Sequence, residues 1–236
     1  MQLAGGDEAG DRLSRRIRGS RPVPDIDYGK LCRRAAAAVL TAVLFAAAPL
    51  HAQDLSRAGP TSADATEVTA WVTAKGDNHG MPFVVVDKKA AEVFVFDGGG
   101  RLVGESAVLL GLARGDDSAP GVGDKTLSDI RPEERTTPAG RFVASLGYGL
   151  GKQEILWVDY ASALALHPVS PANSKEGRLQ RIASNSPLDR RITFGCINVP
   201  AAFYDAVIHP TFLKTSGVVY ILPEIKSVAE VFDFDA

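Results

Sequence analysis

The sequence predicts a mostly β domain, a sandwich or partly closed barrel carrying one or two short helices. Three observations predict it: β-branched and aromatic runs between residues 82 and 110, turn-forming residues between those runs, and only two stretches after residue 170 that read as helix. Runs so short and so firmly bounded favour strands even where apolar periodicity alone is ambiguous.

Pro82 to Val86 is the first strand, Asp87-Lys88-Lys89-Ala90 a polar break, and Glu92 to Phe96 the second strand. Gly98-Gly99-Gly100 then turns the chain into Leu102 to Leu110, completing a meander. The stretch from Gly111 to Glu134 is a long Gly- and Asp-rich loop, of the kind more often functional than idle. Within it Gly121-Val122-Gly123-Asp124-Lys125-Thr126 imitates a phosphate loop, but Asp124 would repel phosphate where backbone amides should cradle it. Thr137-Pro138-Ala139-Gly140 reads as a tight turn, followed by strands at Arg141 to Ser145, Glu154 to Tyr160, Leu164 to His167 and Val218 to Leu222. Helix suits Lys175 to Ser184, and Pro200 to Ile208, where a proline opens the first turn.

The chain has 236 residues, enough for one domain with an ample core. Its formal net charge is −2 with no basic stripe, which excludes nucleic acid as a partner class. Residues 1–29 form a charged leader expected to be disordered. The basic patch Lys30, Arg33 and Arg34, the apolar Ala35 to Ala48 and the small-residue site Pro49-Leu50-His51-Ala52 read as a signal peptide over 30–52. The apolar stretch falls short of the roughly 20 residues that span a bilayer, so cleavage and export to the periplasm or envelope are expected. Residues 53–79 are expected as linker, 80–224 as the folded domain and 225–236 as a tail.

Cleavage would remove Cys32 and leave Cys196 alone in the mature chain. A lone thiol has no disulfide partner within its chain, so nucleophilic chemistry is the reading to weigh against an inert buried cysteine. An ordinary thiol is mostly protonated at neutral pH and needs a nearby base, for which histidine is best suited. His79 lies in the turn-like Asp77-Asn78-His79-Gly80, and His209 ends a helix before Pro210. His167 ends the run Ala163-Leu164-Ala165-Leu166, so it emerges at a strand terminus and is the better candidate. Around the cysteine, Gly195 permits a positive φ and brings backbone N–H groups near the sulfur, as an oxyanion site requires, and Thr193 can fix the turn through its hydroxyl. Asn198 suits either a loop hydrogen bond or a substrate amide or carboxylate, and Arg190 and Arg191 suit either an acidic substrate group or plain solvation.

His167 together with Thr193, Gly195, Cys196, Ile197 and Asn198 resembles the signature of the L,D-transpeptidases, the YkuD-domain family of peptidoglycan-remodelling enzymes. The likeness extends over roughly Pro82 to Pro223, including the Thr137-Pro138-Ala139-Gly140-Arg141-Phe142 turn and strand. Two departures stand out. Phe194 occupies the place of the family's second histidine, and the 29 positions from 167 to 196 exceed the family's usual gap.

The resemblance implies a thioester acyl-enzyme on Cys196, with His167 as base, the Pro168 carbonyl orienting its ring, and Gly195 and Thr193 supporting the oxyanion turn. It further implies peptidoglycan stem peptides as substrates, with a wall-attached protein as a further acceptor, 3-3 crosslinks as product and a bearing on cell shape. No cofactor or metal and a monomeric chain are expected. Hydrolysis of the same substrates, a wall-binding protein that has lost catalysis, and thiol redox chemistry are the rivals, the last weakened by the lack of a resolving cysteine.

Overall fold

The computed structural model describes residues 59–149, 152–170 and 174–234. The leader, the signal segment with Cys32, and the start of the linker lie outside the described residues.

The fold grows from β1 (Phe83–Asp87), in which every residue is buried. It pairs antiparallel with β2 (Glu92–Phe96) on one side and parallel with β10 (Gly217–Ile221) on the other. Because successive side chains alternate across a strand, this unbroken apolar run serves two cores at once. Val84, Val86, Val93, Val95, Val219 and Ile221 face one, while Phe83, Val85, Phe94, Phe96, Val218 and Tyr220 face the other. Both faces of the central strands are therefore covered.

The full sheet runs β3-β2-β1-β10-β5-β6-β7-β9, with β3 at Leu102–Ala107, β5 at Gly140–Tyr148, β6 at Glu154–Asp159, β7 at Leu164–Pro168 and β9 at Ile197–Val199. Leu109, just past β3, exchanges both backbone hydrogen bonds with Asn198 on β9, at 2.8 and 2.9 Å. That bridge carries the chain from one edge of the sheet to the other, so the barrel is partly closed. A two-stranded parallel piece, β4 (Leu110–Gly111) with β8 (Arg191–Thr193), continues beyond the bridge. The expected strand Leu102 to Leu110 is thus divided where the chain changes edges.

Two terminal segments differ from expectation. Residues 63–79, expected as linker, contain α1 (Ala63–Lys75), which lays Ala65, Val68 and Val72 on the aromatic core. Ser62 caps its N-terminus, accepting from the Ala65 N–H at 3.1 Å, and Gly76 closes its C-terminus with φ 68°. The expected tail also folds. Ser227 and Glu230 form a capping box for a one-turn helix at Val228–Val231, which brings Val228 and Phe232 against Tyr220 and Trp71.

The opposite core is covered by a helix running from Ala201 to Phe212, through Tyr204, Val207, Ile208 and Phe212. It passes the expected end at Ile208. A π turn at Tyr204–Ile208 precedes Pro210, and the widened turn carries the helix past a residue that lacks an N–H.

The long loop after β4 is fastened from inside. Lys88, fully buried, donates to Asp116 Oδ1 at 2.8 Å and to the Thr137 carbonyl at 2.9 Å. Asp116 in turn accepts from the N–H groups of Glu224, Ile225 and Lys226 at 2.7, 2.9 and 2.7 Å. Lys125, from the rejected phosphate-loop sequence, pairs with Glu134 at 2.6 Å.

Candidate active site

β7 and β9 are neighbours, paired in parallel with Leu166 opposite Ile197 and His167 opposite Asn198. Leu166 and Ile197 point into the core, so alternation sends His167 and Asn198 to the other face. Extending the register by one residue sets Cys196, at the foot of β9, beside Ala165. The histidine and the cysteine, 29 positions apart in sequence, thus meet on adjacent strands as diagonal neighbours, with Cα atoms on the order of 8 Å apart.

Each reactive group bonds a different neighbour. The Cys196 thiol lies 3.6 Å from the Ala163 carbonyl. Burial pushes it above the ordinary thiol value, against which the Ala165 N–H and the charge of Arg178 pull. Burial lowers the His167 pKa, the Pro168 carbonyl opposes this, and Arg178 adds to it. Near neutral pH the two groups are therefore a thiol and a neutral imidazole rather than an ion pair.

The hydrogen bonds around the ring fix its tautomer. Arg178 donates to Asn198 Oδ1 at 2.7 Å, which turns the amide nitrogen toward His167 Nε2, 3.0 Å away. An amide nitrogen only donates, so Nε2 is bare and accepts. Nδ1 then carries the proton and donates to the Pro168 carbonyl at 2.9 Å. Arg178 opens α2 (Arg178–Ile182), from the segment that lengthens the gap between His167 and Cys196, and is itself paired with Glu176.

The cysteine turn is laced together by two threonines. Thr193 Oγ1 donates to the Cys196 carbonyl at 2.6 Å and accepts from the Gly195 N–H at 3.2 Å. Thr137 Oγ1 donates to the Gly195 carbonyl at 2.7 Å and accepts from the Gly111 N–H at 2.8 Å. Gly195 has φ 129°, and a Cβ there would meet the Thr136 carbonyl at 3.0 Å, so both conformation and space ask for glycine. Phe194 lies beneath the Arg135 guanidinium, 4.0 Å from its ring centre.

Three expected roles change with this geometry. The Gly195 N–H already serves Thr193, so it is not free to meet an oxyanion. Asn198 is fully buried and spends its side chain on His167 and Arg178 rather than on substrate. Arg191 is buried too, bonded to Glu224 Oε2 at 2.5 Å and the Lys88 carbonyl at 2.9 Å, because a guanidinium taken out of water must be paired. Of the other histidines, His209 pairs with Glu154 at 2.8 Å, and His79 sits in its turn with φ 52°.

Sequence reasoning overlooked Arg178, Thr137 and Arg135 as parts of this site. Arg178 carried a signal only as one of several polar residues in a helix, and Thr137 only as a turn residue. Among the described residues no three His, Cys, Asp or Glu side chains gather as a metal would require.

No family model and no curated protein matches the chain. Solved structures do. At the level of fold, the chain is similar to L,D-transpeptidases. The L,D-transpeptidase from Xylanimonas cellulosilytica is 15% identical, with 60% of this chain and 60% of that one covered and a TM-score of 0.38. The helical cell shape determining protein Pgp2 from Campylobacter jejuni is 16% identical, covering 67% and 56%, at a TM-score of 0.41. An L,D-transpeptidase from Mycobacterium smegmatis is 13% identical, covering 59% and 58%, at 0.32. The chain spans 49%, 60% and 56% of the length of three of the structures it resembles. The likeness concerns fold alone.

Proposed function

We propose that the domain is a cysteine-dependent acyltransferase of the L,D-transpeptidase type, exported to the cell envelope and acting on peptidoglycan stem peptides. The observation that carries this reading is the placement of Cys196 in a turn braced by Thr193 and Thr137, one strand away from His167. A cysteine kept only for packing has no need of such bracing.

His167 Nε2 takes the thiol proton, and the thiolate attacks the carbonyl that joins the third residue of a stem tetrapeptide to its terminal D-alanine. The carbon–nitrogen bond breaks, and the imidazolium returns its proton to the departing amine of D-alanine. An amine from a second stem, or from a wall-attached protein, then attacks the thioester and gives up a proton to the imidazole. The sulfur leaves as thiolate and regains that proton.

For the first step the ring must exchange its Asn198 contact for the thiol. That contact, with Phe194 in place of the family's histidine, favours a second reading: a wall-binding domain without turnover. Incubating the purified protein with disaccharide-tetrapeptide and weighing the products separates these. A dimer joined through third residues, with D-alanine released, supports transfer; a trimmed tripeptide assigns hydrolysis; unchanged tetrapeptide assigns the binder.

A further inference from the structure

We propose that Arg178 is a positioning residue that sets the protonation state of His167 through Asn198. The inference rests on reading His167 as the base for Cys196, and it gives the long segment between the two a role in that site.

The argument is one of donors and acceptors. Arg178 has no acceptor, so its 2.7 Å bond can only go to Asn198 Oδ1. Its fork is held from the other side by Glu176. With the amide oxygen so committed, the amide nitrogen must donate to His167 Nε2 at 3.0 Å. A proton arriving on Nε2 would face another N–H donor, and Nδ1 cannot yield its own proton because the Pro168 carbonyl needs a donor at 2.9 Å. The amide can welcome an imidazolium only by flipping, and flipping would turn its nitrogen toward the guanidinium. Arg178 therefore acts as a latch. While it holds Asn198, His167 stays neutral with Nε2 committed to the amide; when it lets go, the amide can present its oxygen to a protonated ring.

The charged and titratable groups around His167 fit this account. The inserted segment contributes Arg178 and Glu176, and the foot of β9 contributes Cys196. Glu154, on β6, lies on the opposite face of the sheet with Leu156 and is engaged there by His209. Leu109, bridged to Asn198 from the far side, is apolar. Arg178 is thus the one residue of this group that both fixes the amide and adds positive charge beside the ring.

The test is an NMR titration of the His167 ring C–H signal, identified by its loss in His167→Gln. Arg178→Met should raise the midpoint by about one pH unit, the size of a nearby charge contact, and Arg178→Lys should return it most of the way. Asn198→Asp should raise it further, because a carboxylate accepts from both Arg178 and a protonated Nε2. It also carries the test alone should Arg178→Met fail to fold. A midpoint unmoved in folded Arg178→Met, or in Asn198→Asp, would overturn the proposal. Carbapenem acylation followed on the same samples keeps the two readings apart. A shifted midpoint with no adduct on Cys196 sinks acyl transfer and leaves the latch standing, and an unmoved midpoint with an adduct sinks the latch alone.

Discussion

Single residues decide the chemistry of this site. Cys196 has its thiol pushed up by burial, so its thiolate fraction at neutral pH is small without a base in contact. Alkylation of Cys196 by a small haloacetamide should accordingly quicken with pH through a midpoint above that of an unperturbed thiol; a plateau already reached by pH 7 would show a preformed ion pair. Gly195 is the other decisive position. Gly195→Ala places a methyl group 3.0 Å from the Thr136 carbonyl at a φ that side chains avoid. It should cost about 1–3 kcal/mol, read as a lowered melting temperature, together with slower acylation. Phe194 and His167 were both legible in sequence, one as a departure and the other as a strand-end histidine. Arg178 was not, because its partner Asn198 lies 20 positions away and nothing local marks the pairing.

At the scale of elements, legibility followed how far each segment depends on itself. The strand Glu92–Phe96 lies at the bounds its sequence predicts, and β1 and β10 within one residue of theirs, since their apolar runs fill two cores whatever their partners. β8 and β9 have three residues each and exist through pairing with β4 and β7, a dependence no local pattern records. α1 was hidden by the Ser, Pro and Thr residues before it, although Ala65, Val68 and Val72 share one face. Its packing makes a boundary prediction. A chain beginning at residue 80 would bare Phe83, Phe94 and Tyr220 and should aggregate or lose its cooperative melt, whereas one beginning at 59 should keep it. Equal melting temperatures for the two would show that α1 is dispensable.

For the whole molecule, the buried cluster of Lys88, Asp116, Glu224 and Arg191 joins the turn after β1, the long loop, the C-terminal segment and β8, the strand leading into the cysteine turn. The Lys88 and Asp116 side chains are 0% and 1% exposed, so Lys88→Met strands uncompensated charge and should cost about 3–5 kcal/mol by denaturant unfolding. Burial by itself would raise Asp116, but Lys88 and the three N–H donors hold its carboxyl well below the usual range. A depressed carboxylate contributes stability above its unfolded value, near 4, and loses it as pH falls toward the folded value. Thermal stability should therefore drop below about pH 4, and Asp116→Asn should flatten that dependence. The most direct measurement of the central claim is the intact mass of the protein with time after adding a carbapenem. Wild type should gain one adduct, Cys196→Ala none, and His167→Ala should gain it at least about 100-fold more slowly; an adduct that survives Cys196→Ala, or a rate unchanged in His167→Ala, would contradict the account.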